Sequence, residues 1–204
     1  MPTVIHVPDE ETFEEMIAER EKLGINHHDE VWDGEYVVMN VPANRHQRIV
    51  GRLTTVLEGI CDLRGGDDVL PGVNVTDRDN WKSNYRVPDV AVFLAGNPAE
   101  DRGTHFFGGP DLAIEILSPR DRTYEKFAFY AAIGTRELIV ISERIDAAEL
   151  YRLRDGVLQP AGTLSINEGS FTTESVAATW ALQQTDRLTL LLTGAFGERR
   201  KLLI

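Results

Sequence analysis

The stretch DLAIEILSPR, residues 111–120, decides the fold. Leu112, Ala113, Ile114, Ile116 and Leu117 form an apolar run of the kind found in a strand buried on both faces, and Ser118-Pro119 ends it as a turn. Glu115 stands in the middle of that run. An ionised carboxylate there costs on the order of several kcal/mol unless something pairs with it. Strand alternation sorts Asp111, Ala113, Glu115 and Leu117 onto one face and Leu112, Ile114 and Ile116 onto the other.

The segments around it supply candidate partners. RVPDVAVFL, residues 86–94, is a strand that begins at Pro88, where proline is tolerated, and sets Asp89, Ala91 and Phe93 on one face. If the two strands pair with their acidic faces matched, Asp89 meets Glu115. Two carboxylates held close repel, and each is harder to ionise unless a cation joins them. A hard divalent cation resolves that conflict. Magnesium is the usual choice where one or two carboxylates and a substrate phosphate complete the shell, and manganese is its common substitute.

Downstream, ELIVIS at 137–142 is another buried strand, and residues 121–133 form the helix between the two. Lys126 precedes the apolar run FAFYAAI and shares a helical stripe with Phe129, Tyr130 and Ile133. Such a lysine either snorkels to the surface or, together with Asp89 and Glu115, stabilises charge on a phosphoryl group.

The rest of the chain fits one domain over residues 1–204. In an N-terminal extension over 1–30, Asp9 caps a helix at 10–22 with Phe13, Met16 and Ile17 inward and Gly24 after its end. EVWDGEYVVMN is a hairpin turning at Asp33-Gly34. Asn44 to Arg64 is a longer helix, with Ile49, Val50, Leu53, Leu57 and Ile60 at helical spacing and Gly65-Gly66 after it. VLPGVNVT is a strand, DRDNWKSNY a polar loop and AGNPAEDRGTHFFGG a long loop. Residues 143–204 carry a hairpin around Asp155-Gly156, a strand near 171–178 and a helix near 185–195. The expected class is α/β of the α+β type: a mixed central sheet flanked by helices, with residues 31–142 as its core.

Composition excludes several classes. A single cysteine, Cys61, rules out an internal disulfide and a multi-cysteine zinc site, and points to a reducing, cytoplasmic setting. No stretch approaches the roughly 18 apolar residues of a membrane span, and the N-terminus lacks a secretory pattern. The net charge of −12 argues against indiscriminate nucleic-acid binding, although a local basic groove can coexist with an acidic remainder. No phosphate-cradling glycine loop, serine nucleophile elbow or HExxH pattern occurs. His27-His28-Asp29 is either a metal-binding trio or an exposed loop, and His105 shows no partner in the sequence.

RVPDVAVF, GPDLAIEILSP and EKFAFYAAIGTRELIVIS, taken together with the hairpin WDGEYVVMNVPANRH, resemble the Uma-two family of restriction endonuclease-like proteins, within the PD-(D/E)xK phosphodiesterases. The resemblance implies a restriction-endonuclease-like core and magnesium-dependent cleavage of DNA. It also implies that Asp89 and Glu115 are metal ligands and Lys126 the basic residue. The lysine that the superfamily pattern sets two residues after the second acid is absent, and Leu117 stands there. Glu35 resembles an additional acidic position, against its reading as an exposed strand-edge charge. His46, on an inward stripe with Val50, Leu53 and Leu57, resembles a proton-transfer or ligand-orienting group, against its reading as a structural histidine. Cutting both strands of a duplex needs two sites, which a homodimer supplies. The alternative function is a nuclease-fold domain that binds without efficient turnover, motivated by the acidic charge and the absent lysine.

Overall fold

The computed structural model describes residues 3–4, 10–39, 41–61, 65–118, 122–142, 144–184, 188–195 and 197–203. In chain order these form β1 (Thr3–Val4), α1 (Glu10–Leu23), β2 (Glu30–Trp32), β3 (Glu35–Val38), α2 (Asn44–Cys61), β4 (Asp68–Pro71), β5 (Val75–Thr76), β6 (Tyr85–Arg86), β7 (Val90–Phe93), β8 (Glu100–Asp101) and β9 (Phe106–Phe107). There follow β10 (Leu112–Ile116), a 3-10 turn at Thr123–Lys126 that runs into α3 (Phe127–Ala132), β11 (Glu137–Ile141), β12 (Ala147–Arg154), β13 (Val157–Ser165), β14 (Phe171–Thr173), β15 (Ala178–Gln184), β16 (Leu188–Gly194) and β17 (Arg199–Leu203).

The central sheet has the order β13-β12-β11-β10-β7-β4, and the α+β class with a mixed sheet is as expected. β10 and β11 run parallel and are joined across α3; the other neighbours are antiparallel. Both parallel strands are buried throughout, and apolar but for Glu115 and Glu137, because helices or a second sheet cover each face. On one side Val90, Val92, Leu112, Ile114 and Ile139 pack against the buried stripe of α2 and against Trp180, Leu190 and Leu192. On the other, Ala91, Phe93, Ala113, Leu138 and Val140 pack against Phe129 and Tyr130 of α3. Complete burial of Leu53 and Leu57 on α2 contributes about 1.5–3 kcal/mol each. The alternation that puts Glu115 with Ala113 therefore turns it toward α3.

Several expectations need correction; the expected long loop carries the short strands β8 and β9, and the strand expected near 171–178 is the start of the β14–β15 hairpin. The segment expected as a C-terminal helix is strand β16, inside a sheet ordered β14-β15-β16-β17. Its alternate residues Leu190 and Leu192 point into the core while β15 and β17 take up its backbone groups on both edges. Pairing thus overrides the helical preference of its leucines. VLPGVNVT divides between two sheets as β4 and β5, and RVPDVAVFL divides as β6 and β7. The N-terminal extension is not helical alone, since β1 adds a strand to β3. The Asp9 cap, the Phe13 side chain, the end of the second helix at Arg64, the start of the third at Asp121, the Pro119 turn residue and the segment start at Thr185 lie outside the described residues.

Gly109 seats β10 against the end of α3. A Cβ there would lie 2.5 Å from the Thr135 backbone nitrogen and 2.8 Å from the Ile133 carbonyl oxygen. Gly109→Ala is therefore expected to lower the unfolding free energy by about 1–3 kcal/mol, read from the midpoint of urea denaturation.

Candidate active site

β7 and β10 pair with Ala91 opposite Ala113 and Val90 opposite Ile114. Asp89 directly precedes β7, next to the Val90–Ile114 pair, which brings its carboxylate close enough to Glu115 to act on it electrostatically. Asp89 is anchored through both oxygens. Oδ2 accepts the Ile116 N–H at 2.7 Å, and Oδ1 meets His46 Nε2 at 2.8 Å. The His46 and Asp89 side chains remain 18% and 16% exposed, so this is the open end of the cluster.

Glu115 closes the other end, at 4% exposure. Lys126 Nζ donates to its two oxygens at 3.0 and 3.2 Å, and the Tyr130 hydroxyl donates to Oε1 at 2.5 Å. The same Nζ reaches Glu30 Oε1 at 2.9 Å. Glu30 in turn accepts the Val87 N–H at 2.9 Å and the Trp32 indole N–H at 2.6 Å. The Trp32 ring also lies against two guanidinium groups, with Arg86 4.7 Å and Arg122 4.4 Å from its centroid.

Glu115 and Glu30 share the Lys126 ammonium, while Asp89 at the open end meets His46 and the Ile116 N–H. Burial pushes the Glu115 carboxyl up to about 8; Lys126 pulls it down, while Asp89 and Glu30 push it further up. Burial opposes the charge on Lys126, but the Glu115 and Glu30 carboxylates outweigh it and raise its pKa, so the lysine stays protonated. Burial, then Glu115, raises the Tyr130 phenol and keeps it a donor.

Two neighbouring acids show what structural carboxylates look like here. Glu137, as buried as Glu115, accepts from Arg152, from the Glu174 and Ser175 backbone N–H groups and from the Ser175 hydroxyl. Asp111 holds the Leu94 N–H and the Asn97 side chain and pairs with Arg136. Each is held by an arginine and by further donors. Glu115 instead takes the Tyr130 hydroxyl and a lysine that it shares with Glu30.

Among the residues singled out by the sequence, the structure brings Asp89, Glu115, Lys126 and His46 into one chain of contacts. Glu35 is exposed at the start of β3, opposite Trp32 across the hairpin. The acid that reaches Lys126 is Glu30. Sequence reasoning missed it because it opens a strand at the far end of the chain from Lys126; its two-residue offset from Trp32 was the available signal. The trio at 27–29 does not converge on a metal. Asp29 is consumed by Arg20, the Tyr36 hydroxyl and the Met39 N–H. Burial lowers the His28 imidazole below its ordinary value, with Asp89 and His46 among the charges that act on it. His105, for which the sequence offered no partner, stacks on Trp81 and meets the Thr104 hydroxyl.

Among the described residues, no group of three or more His, Cys, Asp or Glu side chains is arranged to hold a metal ion. The donor set present is the two-carboxylate one, Asp89 and Glu115. It suits a hard cation that keeps water and phosphate in the rest of its shell. No helix among the described residues is long and apolar enough to cross a membrane.

Comparison with known proteins bears on the fold and the family. Residues of this chain align at 29% identity over 131 positions with an uncharacterized protein of Synechocystis sp., covering 62% of this chain and 66% of that one. The match thus spans just under two thirds of the relative's length. A crystal structure from Anabaena variabilis, described as "a putative nuclease belonging to DUF820", superposes with a TM-score of 0.60 at 20% identity, covering 73% of this chain and 83% of that one. At that identity the likeness establishes the fold. The model of the Uma2 family, described as "Putative restriction endonuclease", matches residues 11–185, and the chain belongs to that family.

Proposed function

We propose that this protein is a divalent-metal-dependent phosphodiesterase that cuts DNA, with Asp89 and Glu115 as the cation ligands. The observation that carries this reading is that Asp89 accepts the N–H of Ile116, the residue beside Glu115, while the Lys126 ammonium donates onto Glu115. Magnesium or manganese bound there would supply charge to the scissile phosphate and acidify a water. Lys126 then offers its ammonium where negative charge develops on the phosphoryl oxygens. Glu30 is a positioning residue that keeps Lys126 extended toward Glu115, and the Trp32 indole keeps Glu30 in place. His46 and the Ile116 N–H orient the Asp89 carboxylate. Cleavage of both strands of a duplex in one encounter would use a second copy of the chain.

The test is the conversion of supercoiled plasmid to nicked or linear DNA. Cleavage is expected with magnesium or manganese, to be absent with chelator, and to be lost in Asp89→Ala. Activity unchanged in Asp89→Ala would remove the site assignment. Thermal unfolding gives an independent readout. Magnesium should raise the midpoint of the wild type and leave that of Asp89→Ala where it is, since a ligand stabilises only through a site it binds. The net charge of −12 favours a second reading, a binding domain without turnover. That reading predicts no cleavage and no magnesium shift.

Glu35→Ala provides the internal contrast. As an exposed strand residue it should change stability by no more than about 0.5 kcal/mol and leave cleavage near wild type. Glu30→Gln, which weakens the hold on Lys126, should lower the cleavage rate while leaving magnesium affinity near wild type.

A further inference from the structure

The β2–β3 hairpin has a second face, turned away from Glu30 and Trp32. There Val31 pairs with Tyr36 on one side and Tyr85 on the other, so the two tyrosines flank it. These residues and Trp81 line a cavity of about 460 Å³, a size that accepts a small organic molecule. The Trp81 and Tyr85 rings lie 5.1 Å apart with their planes at 66°, which makes them adjoining walls rather than a stack. His105 braces Trp81 by stacking at 5.0 Å. The Tyr36 hydroxyl is tied to Asp29 at 2.7 Å, so that wall is also anchored.

Two charged side chains line this cavity. Glu21 of α1 lines it, with the exposed Lys82 as the lining cation. Burial raises the Tyr85 phenol, and Asp29, Glu30 and Glu21 all push it in the same direction. The ring faces are themselves negative. An occupant carrying phosphate would meet Glu21 and the negative ring faces, whereas a neutral apolar group would leave both unused.

We propose that this cavity is an aromatic cage for an organic ammonium group, an alkylated amine held between Tyr36, Trp81 and Tyr85 with Glu21 as its counter-charge. Each ring face contributes quadrupole attraction to the cation, and desolvation between three rings strengthens it. The cage lies on the opposite face of the hairpin from the Asp89–Glu115 cluster and stands independently of the phosphodiesterase reading.

Calorimetric titration of the full chain with choline tests it, run against the neutral isostere in which carbon replaces the ammonium nitrogen. Saturable choline binding is expected, with the isostere at least about tenfold weaker. Trp81→Ala should weaken choline about tenfold and Glu21→Gln about threefold. Glu21 is an exposed helix residue, so the second variant tests the cage even if the first fails to fold. Plasmid cleavage by Glu21→Gln should match the wild type. No saturable heat at millimolar choline, equal binding of the isostere, or unchanged affinity in Glu21→Gln would each overturn the cage.

Discussion

At pH 9, where Glu115 is ionised, Lys126→Ala should lose about 3–5 kcal/mol of folding stability, and DNA cleavage with it. The lysine is 2% exposed and lies between two glutamates that are 0% and 4% exposed. Removing it leaves Glu30 and Glu115 facing each other in a medium that does not hydrate them. Lys126→Met isolates the electrostatic part, because it keeps most of the apolar stem and removes only the charge. A double-mutant cycle with Glu115→Gln then measures the coupling. If the lysine acts mainly by neutralising Glu115, its loss should cost at least about 1 kcal/mol less in the Glu115→Gln background. A Lys126→Met variant as stable as the wild type would show that water reaches both glutamates, and the buried ion-pair description would fail.

The residues of this site differed in how visible they were in the sequence, for physical reasons. Glu115 was legible because a charge inside a buried strand violates a strong rule, and such violations concentrate where function requires them. Asp89 followed from strand parity, and it lies just before β7, accepting the N–H of Ile116 beside Glu115. Lys126 followed from helical spacing, although its reach to Glu115 rests on the 3-10 turn at Thr123–Lys126, which spacing does not specify. Glu30 was not legible. Its contact with Lys126 spans 96 positions and depends on how two sheets pack, which no local pattern encodes. Between the acids of the hairpin, Glu35 and Glu30, only tertiary burial decides.

The same reasoning separates correct from incorrect elements. β10 and β11 were legible because two consecutive apolar runs linked by a helical stripe leave few alternatives. LTLLLTG was not, because a short leucine-rich run satisfies a buried helix and a buried strand equally well. Its partners Trp180 and Leu182 on β15 decide the outcome through pairing, information that lies outside the run itself.

Glu115→Gln should separate what the site costs from what it does. The folded-state carboxyl is pushed up to about 8 from an ordinary 4.5, so between those values the native state holds a proton that the unfolded chain has released. In chelator this group's contribution to the stability of the wild type is then expected to be full at and below pH 4.5 and to be lost as pH rises through about 8. Glutamine keeps the shape and an acceptor for Tyr130 and Lys126 but cannot ionise. Its pH profile should be flatter over the same window, and at pH 9 the variant should exceed the wild type by on the order of 1–2 kcal/mol. Cleavage should fall by at least about a hundredfold, since the neutral amide is a poor ligand for a hard cation. Magnesium should reverse the stability order, raising the wild type at pH 9 and leaving Glu115→Gln unmoved. A variant less stable than the wild type in chelator at pH 9 would mean that the Lys126 ion pair outweighs the burial of the charge, making Glu115 a structural residue like Glu137 rather than half of a cation site.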